Sequence, residues 1–211
     1  MYFLDLLGTF AFAITGAYKA KGAKLHILGV IFLGTITAVG GGTFRDLVIG
    51  RVPLFYLKDP NYLLIAITAS VLAYLIPTFF KKQYSLFRFI DSVGLAAFVI
   101  IGVLIPYNYL SFQNSGQIVM PFITCVFLGV LTGFGGGVIR DSIMGDTPYA
   151  FKSGSNYATS AFFGAFTFYI LMFVNFTLAA IISFLLTLYL REIVSKFGVY
   201  AKILKKNGKN I

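Results

Sequence analysis

The chain has 211 residues, 58% of them hydrophobic and only 11% charged, with a formal net charge of +10 and a mean hydropathy of +0.87. A soluble domain of this length cannot hide so much apolar surface, so the composition excludes an ordinary globular protein and makes the bilayer the expected solvent. The basic residues cluster between and after apolar runs, a pattern of cytoplasmic loops rather than of a nucleic-acid surface, and no nucleic-acid partner is expected.

An apolar segment of about 20 residues crosses the hydrocarbon core as a helix, and the chain offers seven candidates. The first, 3–18, carries Asp5 and has neither a basic start nor a small-residue cleavage site, so it reads as a span rather than a signal peptide. Lys19, Lys21 and Lys24 follow it, and His26, the single histidine, reads as an interfacial residue at the next helix start. The second span, 26–49, holds Gly40, Gly41 and Gly42, then Arg45 and Asp46. The third is 60–79; Lys81, Lys82 and Arg88 separate it from the fourth, 89–107, which contains Asp91. The fifth, 117–145, contains Gly135, Gly136 and Gly137 followed by Arg140 and Asp141. It also holds Cys125, the one cysteine, which reads as a buried thiol and excludes an intrachain disulfide. The sixth and seventh, 155–174 and 176–194, are divided only by "VNF".

With seven spans, the lysines after the first span, those after the third, Lys152 after the fifth, and Arg191 with Lys196, Lys202, Lys205, Lys206 and Lys209 all fall on one side. The positive-inside rule then places the N-terminus outside and the C-terminus in the cytoplasm. Residues 1–195 read as one membrane domain and 196–211 as a basic cytoplasmic tail. That tail is either a solvated topology signal or a surface for anionic lipid, at about 1 kcal/mol per basic residue near the bilayer.

A shift of 95 residues aligns Phe32-Leu33-Gly34 with Phe127-Leu128-Gly129, Thr37 with Thr132, and the two glycine triplets with each other. It also aligns Arg45-Asp46 with Arg140-Asp141, Gly50 with Gly145, Pro53 with Pro148, and Asn61-Tyr62 with Asn156-Tyr157. A shift of 86 aligns Asp5, Gly8, Phe12 and Gly16 with Asp91, Gly94, Phe98 and Gly102. Apolar bias does not align glycines, charges and prolines together, so the chain reads as a duplication, about 1–80 and 89–175, with a seventh helix, about 176–195, outside it. Three spans per copy is an odd number, so the copies enter the membrane from opposite sides. Such inverted repeats set a permeation or binding site near the midplane, at the interface of the halves.

Glycine costs a helix about 1 kcal/mol relative to alanine, so each triplet is a weak point, read here as a kink lining a cavity; close helix packing is the competing reading. Arg45 and Asp46 point about 100° apart on a helix and read as poor mutual partners. The inverted topology offers instead Arg45 with Asp5 and Arg140 with Asp91, one pair on each side of the midplane. "GGGTFRD" lacks the Lys-Ser/Thr end of a phosphate-binding loop. There is no carbonyl selectivity-filter motif, and one histidine with one cysteine builds no catalytic or metal constellation. Neither enzymatic activity nor a cofactor is expected.

The seven spans, the inverted three-plus-three repeat, and "GGGTFRD" and "GGGVIRD" in spans two and five resemble the prokaryotic trimeric intracellular cation (TRIC) channels, over essentially residues 1 to 195. The resemblance implies a homotrimer with one pore per subunit, lined by spans one, two, four and five and kinked at Gly40–Gly42 and Gly135–Gly137. It also implies potassium-permeable conduction of monovalent cations; read from the residues themselves, Arg45, Asp46, Arg140 and Asp141 line or gate such a path. A neighbouring family with the same repeat acts in glycine uptake, and the motifs do not separate a channel from such a transporter.

Overall fold

The protein is described by a computed structural model, which covers residues 1–75, 84–113, 122–152 and 155–194. Helices follow one another as α1 (Tyr2–Gly22), α2 (Ile27–Val48), α3 (Phe55–Lys58), α4 (Asn61–Leu75), α5 (Tyr84–Gln113), α6 (Phe122–Ile143), α7 (Tyr157–Leu171) and α8 (Phe176–Tyr189). A 3-10 turn, Tyr149–Phe151, precedes α7, and a π-helical turn, Leu190–Val194, prolongs α8. Among the described residues there is no strand. Three helical stretches among the described residues, Ile27–Val48, Ser85–Tyr109 and Phe122–Ile143, are long and apolar enough to cross a membrane. The expected basic tail 196–211, Lys81 and Lys82, the end of the third expected span (76–79) and the start of the fifth (117–121) lie outside the described residues.

Burial is inverted relative to a soluble protein. Phe3, Leu28, Phe32, Ile123, Phe127 and Val174 are exposed, whereas Arg45, Asp46, Asp91, Arg140, Asp141 and Arg191 are buried. An apolar exterior around buried charge is what lipid selects, since there the cost falls on exposed polar groups. This is a membrane protein.

The helix ends differ from the sequence reading in ways that matter for the site. α1 runs to Gly22, so Lys19 and Lys21 stand in its last turn instead of in a loop, where a cation is favoured by the carbonyl end of the helix dipole. α5 begins at Tyr84, so Arg88 is also helical. His26 is more than an interfacial residue: its Nδ1 accepts from the Gly29 amide at 3.2 Å, capping α2. Asn175 caps α8 likewise, through Leu178.

Small residues let the helices approach closely. A Cβ on Gly16 would lie 2.8 Å from the Cα of Gly34, and one on Gly102 would lie 2.9 Å from the Cα of Gly129. These are matched positions, so α1 packs on α2 as α5 packs on α6. Thr37 and Thr132 sit at the same seams, each returning its hydroxyl to its own helix, at Leu33 and Leu128, with 2.6 Å bonds. α8 docks on α7, where the Ser183 hydroxyl donates to the Gly164 carbonyl at 2.8 Å.

Candidate functional site

The glycine triplets meet each other. A Cβ on Gly41 would stand 2.3 Å from the Thr132 carbonyl oxygen, and one on Gly136 would stand 2.1 Å from the Thr37 carbonyl oxygen. Thr37 and Gly41 correspond to Thr132 and Gly136, so this is one contact made twice, the signature of a two-fold relation between halves. As numbering rises from 37 to 41 on α2, the partner falls from 136 to 132 on α6, so the two helices run antiparallel through the crossing. α1 and α5 repeat the relation. Gly8 faces Phe98, Gly94 faces Phe12, and the rings of Phe12 and Phe98 stack edge to face with centroids 5.1 Å apart. Both α2 and α6 stay helical through their triplets, and the glycines at 41 and 136 serve the close packing that the sequence reading had ranked second.

A charge cluster lies beyond each triplet. In the first, Arg45 is 2% exposed and reaches Asp46 Oδ1 through Nε at 2.9 Å and through its terminal nitrogen at 2.7 Å. Arg51 approaches the same carboxylate at 3.3 Å. Asp5 accepts from the Tyr62 hydroxyl at 2.8 Å, and among the described residues no ion pair joins it to Arg45. The expected Arg45–Asp5 pair is therefore replaced by a neutral donor on Asp5 and a neighbouring carboxylate on Arg45. The Arg45 guanidinium also lies 5.7 Å from the Phe55 ring centroid.

In the second cluster, Arg140 binds Asp91 Oδ1 at 2.9 Å, Asp141 Oδ1 at 2.9 Å and the Thr15 hydroxyl at 3.0 Å. Adjacent Arg-Asp residues thus pair in both halves, against the sequence expectation. The angular offset holds at Cβ, but the arginine stem is long enough for its Nε–H to fold back onto the next carboxylate. Asp141 is further held by Lys19 at 2.7 Å and by the Tyr149 amide at 2.8 Å, and Lys19 also reaches Asp146 at 2.7 Å. That bond from the Lys19 ammonium holds the exposed Asp146 carboxyl below the usual carboxylate range.

One participant escaped the sequence reading, which counted Arg191 among the loop charges closing the chain. It is 1% exposed, with a terminal nitrogen 3.5 Å from Asp91 Oδ2 and the guanidinium carbon 4.3 Å from the Tyr157 ring centroid. The π-helical turn brings it there from a helix outside the repeat, so nothing in the first half corresponds to it. Its only sequence signal was position, inside the last apolar stretch. The next residue, Glu192, pairs with Arg88 at 3.0 Å and accepts from Ser92 at 2.7 Å.

The second cluster opens on a cavity of about 370 Å³. Six cationic side chains (Lys19, Lys21, Arg88, Arg140, Lys152 and Arg191) and the carboxylates of Asp91 and Asp141 share its wall with Tyr18, Phe87 and Tyr149. The wall thus combines an excess of fixed positive charge with aromatic faces. Among the described residues no group of acidic, histidine or cysteine side chains is placed to hold a metal ion.

A family model described as "Glycine transporter" matches residues 2–78 and 88–173, the two stretches that carry the paired motifs. The inner membrane protein YadS of Escherichia coli strain K12, a UPF0126 protein, is 35% identical over 90% of this chain and 89% of its own length. A UPF0126 membrane protein of Vibrio cholerae is 37% identical over 78% of this chain, and the match spans 65% of the relative's length. Among solved structures, a TRIC cation channel superposes with a TM-score of 0.78 at 32% identity, covering 93% of each chain. The TRIC trimeric intracellular cation channel orthologue from Rhodobacter sphaeroides gives 0.79 at 28% identity, covering 95% of this chain and 97% of that one. The resemblance read from the paired motifs is thus to proteins of this very fold.

Proposed function

We propose a function from this premise: the chain belongs to the Glycine transporter family and shares its fold with TRIC cation channels, and it is itself a channel for monovalent cations, potassium included. The observation that carries the reading is the superposition on a TRIC cation channel at a TM-score of 0.79 over 95% of the chain. In this reading seven spans form a domain of residues 1–195, inverted three plus three with a seventh helix, and the tail 196–211 is a cytoplasmic topology signal, with anionic lipid as a candidate partner. Three copies assemble, each with its own path between the halves.

The path runs past the crossing of α2 and α6. Arg45 and Asp46 line it toward the outside, and Arg140 and Asp141 line it toward the cytoplasm, with Asp5 and Asp91 beside them. Phe12 and Phe98 close the middle in the present conformation, and conduction requires their separation. Bending at Gly40–Gly42 and Gly135–Gly137 supplies that motion, because three glycines in succession weaken a helix by roughly 3 kcal/mol relative to alanine. Purified protein in a planar bilayer should give unitary potassium currents, and their absence across lipids and voltages would sink the proposal.

The family description supports a second reading, a glycine carrier on the same scaffold. A carrier exposes its site to one side at a time, and predicts saturable glycine counterflow in proteoliposomes without unitary current.

A further inference from the structure

We propose that the cavity beside the second charge cluster is a binding site for a soluble organic carboxylate, held by Arg191 and Arg88. Three observations carry this. First, the wall has a surplus of positive charge. Six cations face two carboxylates, and adding Asp146 and Glu192, which pair with Lys19 and Arg88 from its margin, still leaves two positive charges over.

Second, the donors are underused. Arg88 and Arg191 both line the cavity, and both keep a buried Nε–H with no hydrogen-bond partner. Arg191 spends its terminal nitrogens on the Ser155 carbonyl at 3.3 Å and on Asp91 at 3.5 Å, and a guanidinium donor left unpaired beside them is costly enough to point to an absent acceptor. The planar guanidinium fork matches a carboxylate. Third, the same wall presents the rings of Tyr18, Phe87 and Tyr149, which shelter the apolar body of an organic anion better than a bare inorganic one. The positive surplus favours a net anion over a zwitterionic amino acid.

The site is one-sided. Arg191 comes from the π-helical turn of α8, outside the duplicated halves, so the first cluster has no counterpart. The binding claim stands independently of the channel reading. Only its consequence, a change in cation current on occupancy, rests on that reading.

The test uses the full-length protein in detergent and benzoate as probe, followed by isothermal titration calorimetry. Benzoate should bind, and its neutral isostere benzamide should not. Arg191→Gln should weaken benzoate about tenfold or more, the scale of a lost charged hydrogen bond. Lys152→Gln, an exposed change on the wall, should weaken it several-fold without unfolding the protein. Lys58→Gln, an equal charge change far from the cavity, should leave affinity unchanged. In bilayers, benzoate should alter the wild-type current and leave that of Arg191→Gln unaltered. If no current appears at all, the channel reading fails and calorimetry alone decides the site. Equal binding of benzamide, equal affinity in Lys152→Gln and wild type, glycine binding in place of benzoate, or occupancy only by anionic phosphatidylglycerol vesicles would each overturn the proposal.

Discussion

Phe12 and Phe98 occupy the same position in the two halves and meet each other, edge to face, at 5.1 Å between centroids. Equivalent residues touch only on a symmetry axis. The axis that passes between these rings also passes through the crossing of α2 and α6, where Gly41 and Gly136 make the same contact with Thr132 and Thr37. The two-fold axis therefore runs through closely packed helices, with the charge clusters displaced to either side.

Alanine at that crossing should be poorly tolerated. Gly41→Ala and Gly136→Ala push a methyl to 2.3 and 2.1 Å from backbone carbonyl oxygens, and backbone does not swing aside like a side chain. Overpacking typically costs about 1–3 kcal/mol, so both variants should melt earlier in detergent. Gly22→Ala, with no neighbour within 4 Å, should match the parent or exceed it slightly, alanine being the better helix former. Equal melting of all three would contradict the packing.

Asp91 and Asp5 are matched in sequence and unequal in consequence. Asp91 answers two buried guanidinium groups, Arg140 at 2.9 Å and Arg191 at 3.5 Å. Asp5 accepts from a neutral phenol. Removing one partner of a buried ion pair costs about 3–5 kcal/mol, whereas a hydrogen bond from a neutral phenol to a carboxylate contributes about 1.5–3 kcal/mol. Asp91→Asn should therefore lower the melting temperature further than Asp5→Asn, and a reversed order would show that Arg45 leans on Asp5 after all.

Much of this was legible in the chain. Glycine triplets, Arg-Asp and Pro recurring at one offset revealed the duplication, and an odd number of spans per copy implied opposed halves, which the antiparallel crossing of α2 and α6 displays. Distances within each half were less legible. Sequence spacing gives the direction of a Cβ, not the reach of a guanidinium, so the Arg45–Asp46 and Arg140–Asp141 pairs were missed. Arg191 and Glu192 were hidden for another reason: they come from the helix outside the repeat, and a symmetry argument is blind to what breaks the symmetry.

Neutralising Asp141 should disturb conduction more than neutralising Asp46. Asp141 joins Arg140, Lys19 and the Tyr149 amide on a cavity already rich in cations, so Asp141→Asn raises the barrier for an entering cation there. Asp46 faces Arg45 and Arg51, a smaller positive group. Unitary potassium conductance should fall in both variants, further in Asp141→Asn; unchanged currents in both would remove these residues from the path.

The Lys19–Asp146 contact predicts a pH dependence with a definite sign. The bond from Lys19 lowers the Asp146 pKa in the folded protein. A group depressed on folding contributes its stabilisation above its unfolded pKa and loses it as pH falls through the folded value. The contact is therefore intact at neutral pH and opens only in acid, below the ordinary carboxylate range. Carbon-detected NMR of labelled aspartates should find Asp146 titrating lower than an unpaired aspartate, and Lys19→Gln should return it toward the ordinary value. Because Asp146 is exposed, high salt should have part of the same effect. A titration midpoint indifferent to both Lys19 and salt would mean that the ammonium spends its time on Asp141 alone.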